Sequence, residues 1–189
     1  MDTPVVTAIV GSVSALVGIS LGALIQWRLA KENHAFQLRL EAIKRQSERE
    51  ERECNAHRQR LLDAHKAISR IGREFSITTL DIVWRSGMTE HEYDQRYLAS
   101  CEALDEARAT CDLYIPEASE LLEKMYGKMN IFWGNFKEVL RLTQLQEPYE
   151  KKEHFHGKAI AAAQDIGESA SAAKTRLGNI IVEYGARGG

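Results

Sequence analysis

"PEASELLEKMYGKMNIFWGNFKEVL", residues Pro116 to Leu140, is the stretch from which the fold follows. Leu122, Met125, Met129, Phe132, Phe136 and Val139 recur at alternating steps of three and four, which places them on one face of a helix. Leu121, Trp133 and Leu140 flank that face and broaden it, as a helix with a buried side requires. Pro116 suits a first helical turn, where its missing N–H has no partner to lose, and Glu117 and Glu120 favour the positive end of the helix dipole. The spacing therefore predicts a helix from Pro116 to the neighbourhood of Pro148, with the richest core at Met125, Met129, Phe132 and Phe136.

The segments on either side read in the same way. Upstream, "RSGM" breaks a helix at Ser86-Gly87, and "TEHE" starts another, with Thr89 as N-cap and Glu92 at the reciprocal position of a capping box. That second helix carries Tyr93, Tyr97, Cys101, Leu104, Cys111 and Ile115 on its stripe and ends at Pro116. Downstream, Pro148 opens the way to a fourth helix from about Tyr149 to Tyr184, with Ile160, Ala163, Gly167, Ala170, Leu177 and Ile181 facing inward. Connections of a few residues between helices of similar length imply antiparallel neighbours. The expected fold is accordingly all-α, an up-and-down bundle of about four helices over residues 61–185, followed by a flexible tail at 186–189.

The first member of that bundle is the far end of a much longer helix. Leu29, Asn33, Phe36, Leu40, Ile43, Ser47, Glu50, Cys54, His57, Leu61, Ala64, Ile68, Ile71 and Phe75 alternate by four and three, the spacing of a left-handed coiled-coil seam, and Ile82 carries the stripe on toward Trp84. Its middle, "KRQSEREERECNAHRQR" from Lys44 to Arg60, is almost devoid of apolar side chains and cannot form the inside of a compact fold. Glu48 with Arg52, and Arg49 with Glu53, are opposite charges four apart that support a solvated helix. Residues 28–60 thus read as a charged stalk, with Phe36, Leu40 and Ile43 as the apolar part of its seam.

Preceding the stalk, no ionisable side chain occurs between Thr3 and Trp27. At about 1.5 Å per residue such a helix reaches roughly 37 Å, enough for a bilayer core of about 30 Å. A secretory signal would want a basic leader, a shorter apolar centre and a small-x-small cleavage site, and Met1-Asp2-Thr3-Pro4 and "LIQWRLAK" provide none of these. Residues 4–27 are therefore expected to be a transmembrane anchor, with Trp27, Arg28 and Lys31 at the membrane interface. Arg28, Lys31, Arg39, Lys44 and Arg45 weight the C-terminal flank with positive charge, which places the bundle in the cytoplasm and the short N-terminus outside, at the cell membrane. Within the span Ser14, Gly18 and Gly22 stack on one face, where small side chains let two lipid-embedded helices approach closely and self-associate.

Chemistry-bearing residues are sparse. Cys54, Cys101 and Cys111 lie at no metal spacing, and His154 and His156, two apart, point to different sides of a helix. No nucleophile sits with a base and an oxyanion site, and no glycine-rich phosphate loop follows a strand, so neither catalytic nor metal-binding residues are expected, and no cofactor. A net charge of -2 and a pI near 6.3 argue against a nucleic-acid partner. The sequence reads as a single-pass, membrane-anchored tether or adaptor whose partners are the bilayer, a cytoplasmic protein and a second copy or higher homo-oligomer of itself. The alternative is a membrane effector, channel-like or of a defence type, that oligomerises through its span. In layout the chain resembles the membrane stalk subunit of rotary ATP synthases and the inner-membrane spanins of phages. The stalk subunit lacks such a bundle, and spanins place their soluble part on the opposite side of the membrane.

Overall fold

In the computed structural model of the chain the described residues are 3–187, with side chains described for Leu24 and for residues 26–183. Among them are five α-helices and no strand: α1 (Thr3–Glu74), α2 (Ile77–Ser86), α3 (Glu90–Tyr114), α4 (Pro116–Gln144) and α5 (Tyr149–Arg187). The chain divides into two compact units, residues 1–52 and residues 53–189.

The first unit contains only α1 among its described residues. Its apolar side chains Leu24, Trp27, Leu29, Phe36, Leu38, Leu40 and Ile43 are all more than half exposed. Its charges pair along the helix, Glu41 with Arg45 at 3.3 Å and Glu48 with Arg52 at 3.8 Å, the i,i+4 contacts of a solvated helix. No helix among the described residues is long and apolar enough to cross a membrane. The face expected to self-associate, Ser14, Gly18 and Gly22, lies outside the residues whose side chains are described, as does the expected tail at 186–189.

In the second unit the long helices alternate in direction. Asp94 and Arg108 of α3 meet Lys137 and Glu123 of α4, so these two run antiparallel. Lys128 and Thr143 of α4 meet Asp165 and Lys152 of α5, the same relation. Arg60 and Glu74 of α1 reach Tyr114 and Arg96 of α3, while Gly72 of α1 lies so close to α5 that a Cβ there would stand 3.3 Å from the Ala170 Cβ. These pairings are those of an up-and-down bundle, with the short α2 as an extra piece between its first and second long members.

Local chemistry accounts for the ends of the helices. Thr89 and Glu92 form the expected capping box, the Glu92 N–H donating to the Thr89 hydroxyl at 3.3 Å and the Thr89 N–H to the Glu92 carboxylate at 2.9 Å. Gly87 closes α2 in the left-handed region at φ 69°, and Pro116 opens α4.

The expected continuation of the first helix to Trp84 is corrected: α1 stops at Glu74 and α2 begins at Ile77. Ser76 is the cause, its hydroxyl accepting from the Thr79 N–H at 3.2 Å and capping a new helix. Ile82, placed on the stripe by its spacing, is 60% exposed as a result, and Leu80 and Val83 are buried instead.

The core runs through all of these elements. Phe75, Leu104, Met125, Met129, Phe132, Phe136 and Leu177 are buried. Phe75 packs edge-on to Phe132 with ring centres 5.2 Å apart, and Tyr93 edge-on to Phe136 at 5.3 Å. On α5 the buried stripe is Ala159, Ala162, Ala163, Ile166, Ala170, Ala173 and Leu177. Ile160 and Ile181, expected at its centre, are half-buried on its flank, and Gly167 is exposed. Where α1 and α5 approach closely, at Gly72 and Ala170, a short side chain suits the gap.

Candidate functional site

Several polar side chains of the bundle hold helices together. Asp94, at the start of α3, accepts from the Trp133 indole N–H at 2.9 Å and from the Lys137 ammonium at 2.7 Å. The same ammonium sits 5.2 Å from the Trp133 ring centre, and Trp133 stacks on Tyr97 at 5.0 Å. Tyr97 in turn donates its hydroxyl proton to Asn130 at 2.5 Å. Burial pushes the Asp94 carboxyl upward, but the hydrogen bonds from Lys137 and Trp133 outweigh it and hold the group below the usual carboxylate range. Both Asp94 oxygens are thus engaged in fastening α3 to α4.

The sign of that shift has a consequence for stability. A group whose native pKa lies below its unfolded value stabilises the fold above the unfolded value, and the contribution disappears as pH falls through the native one. The native chain is expected to lose more stability between about pH 5 and pH 2 than an Asp94→Asn variant does. Urea denaturation midpoints measured across that range test this, and parallel curves for the two proteins would contradict it.

A second cluster fastens α2. The Trp84 indole N–H donates to the Thr143 hydroxyl at 3.0 Å, and its ring lies 4.8 Å from the His156 ring and 6.2 Å from that of Tyr149. The Tyr149 hydroxyl and His156 Nδ1 are 3.1 Å apart. His154 instead sets its ring against Phe155 at 5.6 Å, so the two histidines of "HFHGK" serve different surroundings. Among the described residues no group of three or more His, Cys, Asp or Glu side chains stands ready to hold a metal ion.

Cys101 and Cys111 are poorly suited to nucleophilic work. Burial, and then the neighbouring Asp112 charge, push the Cys111 thiol up to about 11, and burial likewise raises Cys101. Both are therefore thiols rather than thiolates near neutral pH.

What remains is surface. Trp27, Arg28 and Lys31 lie together on α1 of the first unit, with the Lys31 ammonium 5.4 Å from the Trp27 ring centre. Farther along the same helix Phe36, Leu40 and Ile43 are 60%, 51% and 65% exposed, three apolar side chains at heptad spacing facing solvent. The Asp94, Trp133 and Lys137 junction and the Trp84 and Thr143 contact were not foreseen from the sequence. Each joins residues about forty or more positions apart, a register that no local pattern encodes. The Ser76 cap could have been found, since serine is among the residues favoured at an N-cap and an apolar run follows it.

No known protein family, curated protein or solved structure matches the chain.

Proposed function

We propose that this protein is a single-pass, membrane-tethered interaction module: an anchor at residues 4–27, a helical stalk over 28–60, and a bundle that presents itself to a cytoplasmic protein partner. The observation that carries this reading is the pairing of an uncharged run from Thr3 to Trp27 with an apolar stripe of Phe36, Leu40 and Ile43 left open to solvent on the same helix. The uncharged run suits lipid, and the open stripe suits a second helix laid along it. A second copy of the chain fits that stripe, because Phe36, Leu40 and Ile43 occupy alternating seam positions and Asn33 precedes them at the polar seam position that fixes register in paired helices. Catalysis is not part of the proposal: Asp94, Trp133, Lys137, Trp84 and Thr143 are engaged in joining one helix to another.

Orientation follows from the cations at Arg28, Lys31, Arg39, Lys44 and Arg45. A reporter active only in the cytoplasm, fused after Gly189, is expected to work. Asp2→Lys combined with Arg28→Glu and Lys31→Glu is expected to invert or scramble the orientation. A silent cytoplasmic reporter on the unmodified chain, with an active one on the far side, would overturn the assignment.

A further inference from the structure

The underside of α2 borders a partly open cavity of about 10 Å³ lined by residues that include Glu74, Thr79, Leu80, Tyr93, Arg96 and Phe136. One of those walls is anomalous. Tyr93 is 7% exposed, and its hydroxyl is buried with no hydrogen-bond partner among the described residues. A buried phenol normally finds a partner, because leaving the group dry forfeits the hydrogen bonds it made to water in the unfolded chain.

The surroundings narrow what that partner is. Leu80, Val83, Phe132 and Phe136 make much of the lining apolar. The lining also carries the Glu74 carboxylate, paired with the Arg96 guanidinium at 2.6 Å. The Thr79 hydroxyl is already committed, donating to the Arg73 carbonyl at 2.7 Å. Burial, and after it the Glu74 charge, push Tyr93 above the ordinary phenol range, so the carboxylate is felt at the phenol and the phenol keeps its proton to donate. A guest here has to be small, has to accept from the phenol, and gains from donating toward a carboxylate. A volume of about 10 Å³ sits at the threshold for a single water.

We infer that the cavity under α2 is a binding site for one water molecule, held at its inner end by the Tyr93 hydroxyl and facing the Glu74 and Arg96 pair at its outer end. The water makes the seat of α2 partly polar. α2 roofs the site with Leu80 and Val83 and is bounded by the Ser76 cap and by Gly87 at φ 69°, two places where the chain direction changes. The short helix is therefore seated on a hydrated joint as well as on its apolar face.

Tyr93→Phe in the full chain keeps the ring and removes only the hydroxyl. With the water present, the substitution removes a satisfied hydrogen bond, and the unfolding equilibrium constant rises by about three- to tenfold in urea denaturation. With a dry hydroxyl, the substitution removes an unsatisfied buried group, and the constant stays level or falls, which overturns the proposal. Oxygen-17 relaxation dispersion counts long-lived internal waters directly. The native chain is expected to hold one more than the Tyr93→Phe variant, and equal counts overturn the proposal whatever the stability change.

Discussion

Phe136→Ala is expected to destabilise the bundle by about 3 to 5 kcal/mol, and Phe132→Ala by a similar amount. Both rings are buried, at 1% and 2% exposure, and they touch each other with centres 5.8 Å apart. Phe136 also meets Tyr93 of α3 edge-on, and Phe132 meets Phe75 in the turn between α1 and α2, so each ring has aromatic neighbours from other parts of the chain. Such rings cannot slide into the space a lost phenyl leaves, because each is already fixed by its own backbone and its own partners. The cost therefore includes the cavity as well as the lost transfer free energy. Tyr126, on the same helix but 37% exposed, provides the contrast, and its replacement by alanine should cost far less. Urea denaturation of a chain beginning at Asn55 gives the numbers. A loss below about 1 kcal/mol at both phenylalanines would mean that the rings do not hold the core together.

The second large effect is expected in the first unit. With Cys54, Cys101 and Cys111 replaced by alanine, Leu40→Cys should cross-link most of the protein into covalent dimers in membranes, because a parallel pair brings Leu40 opposite its own copy in the seam. Leu40→Asp would place two carboxylates face to face at that point, and the association constant is expected to fall by at least about tenfold. Gly18→Ile with Gly22→Ile should lower the cross-linking yield at Leu40→Cys by holding the two spans apart. Arg39 and Lys44 would flank the seam with like charge in such a pair, so cross-linking should also rise with salt. An inserted protein that never cross-links through Leu40→Cys would exclude the parallel pair.

The parts of the fold that could be read from the sequence are those set by neighbours in the chain. The Thr89 and Glu92 capping box, the Gly87 stop and the start at Pro116 each depend on a few consecutive residues and stand where the residues put them. The break at Ser76 was hidden because Ile71, Phe75 and Ile82 continue the apolar period across it, and periodicity alone does not register a cap inside a stripe. On α5 Ala163, Ala170 and Leu177 are buried where the spacing puts them, while Ala159 and Ile166 are buried in place of Ile160 and Gly167, for a related reason. A helix rich in alanine and glycine has little contrast between its faces, and the close approach of Gly72 to Ala170 selects the buried side by size. The Asp94, Trp133 and Lys137 junction depends on the register of two helices and leaves no mark in either one alone.

The claim of a membrane tether is tested most directly by fractionation. Cells producing the full chain are broken, the membranes are collected and washed with alkaline carbonate, and the protein is followed beside a chain that begins at Asn55. The full chain should remain in the carbonate-washed pellet and leave it only with detergent, while the shorter chain should stay in the supernatant, since an uncharged run from Thr3 to Trp27 would hold the first in lipid. Release of the full chain by carbonate alone, into the same fraction as the shorter one, would contradict the tether.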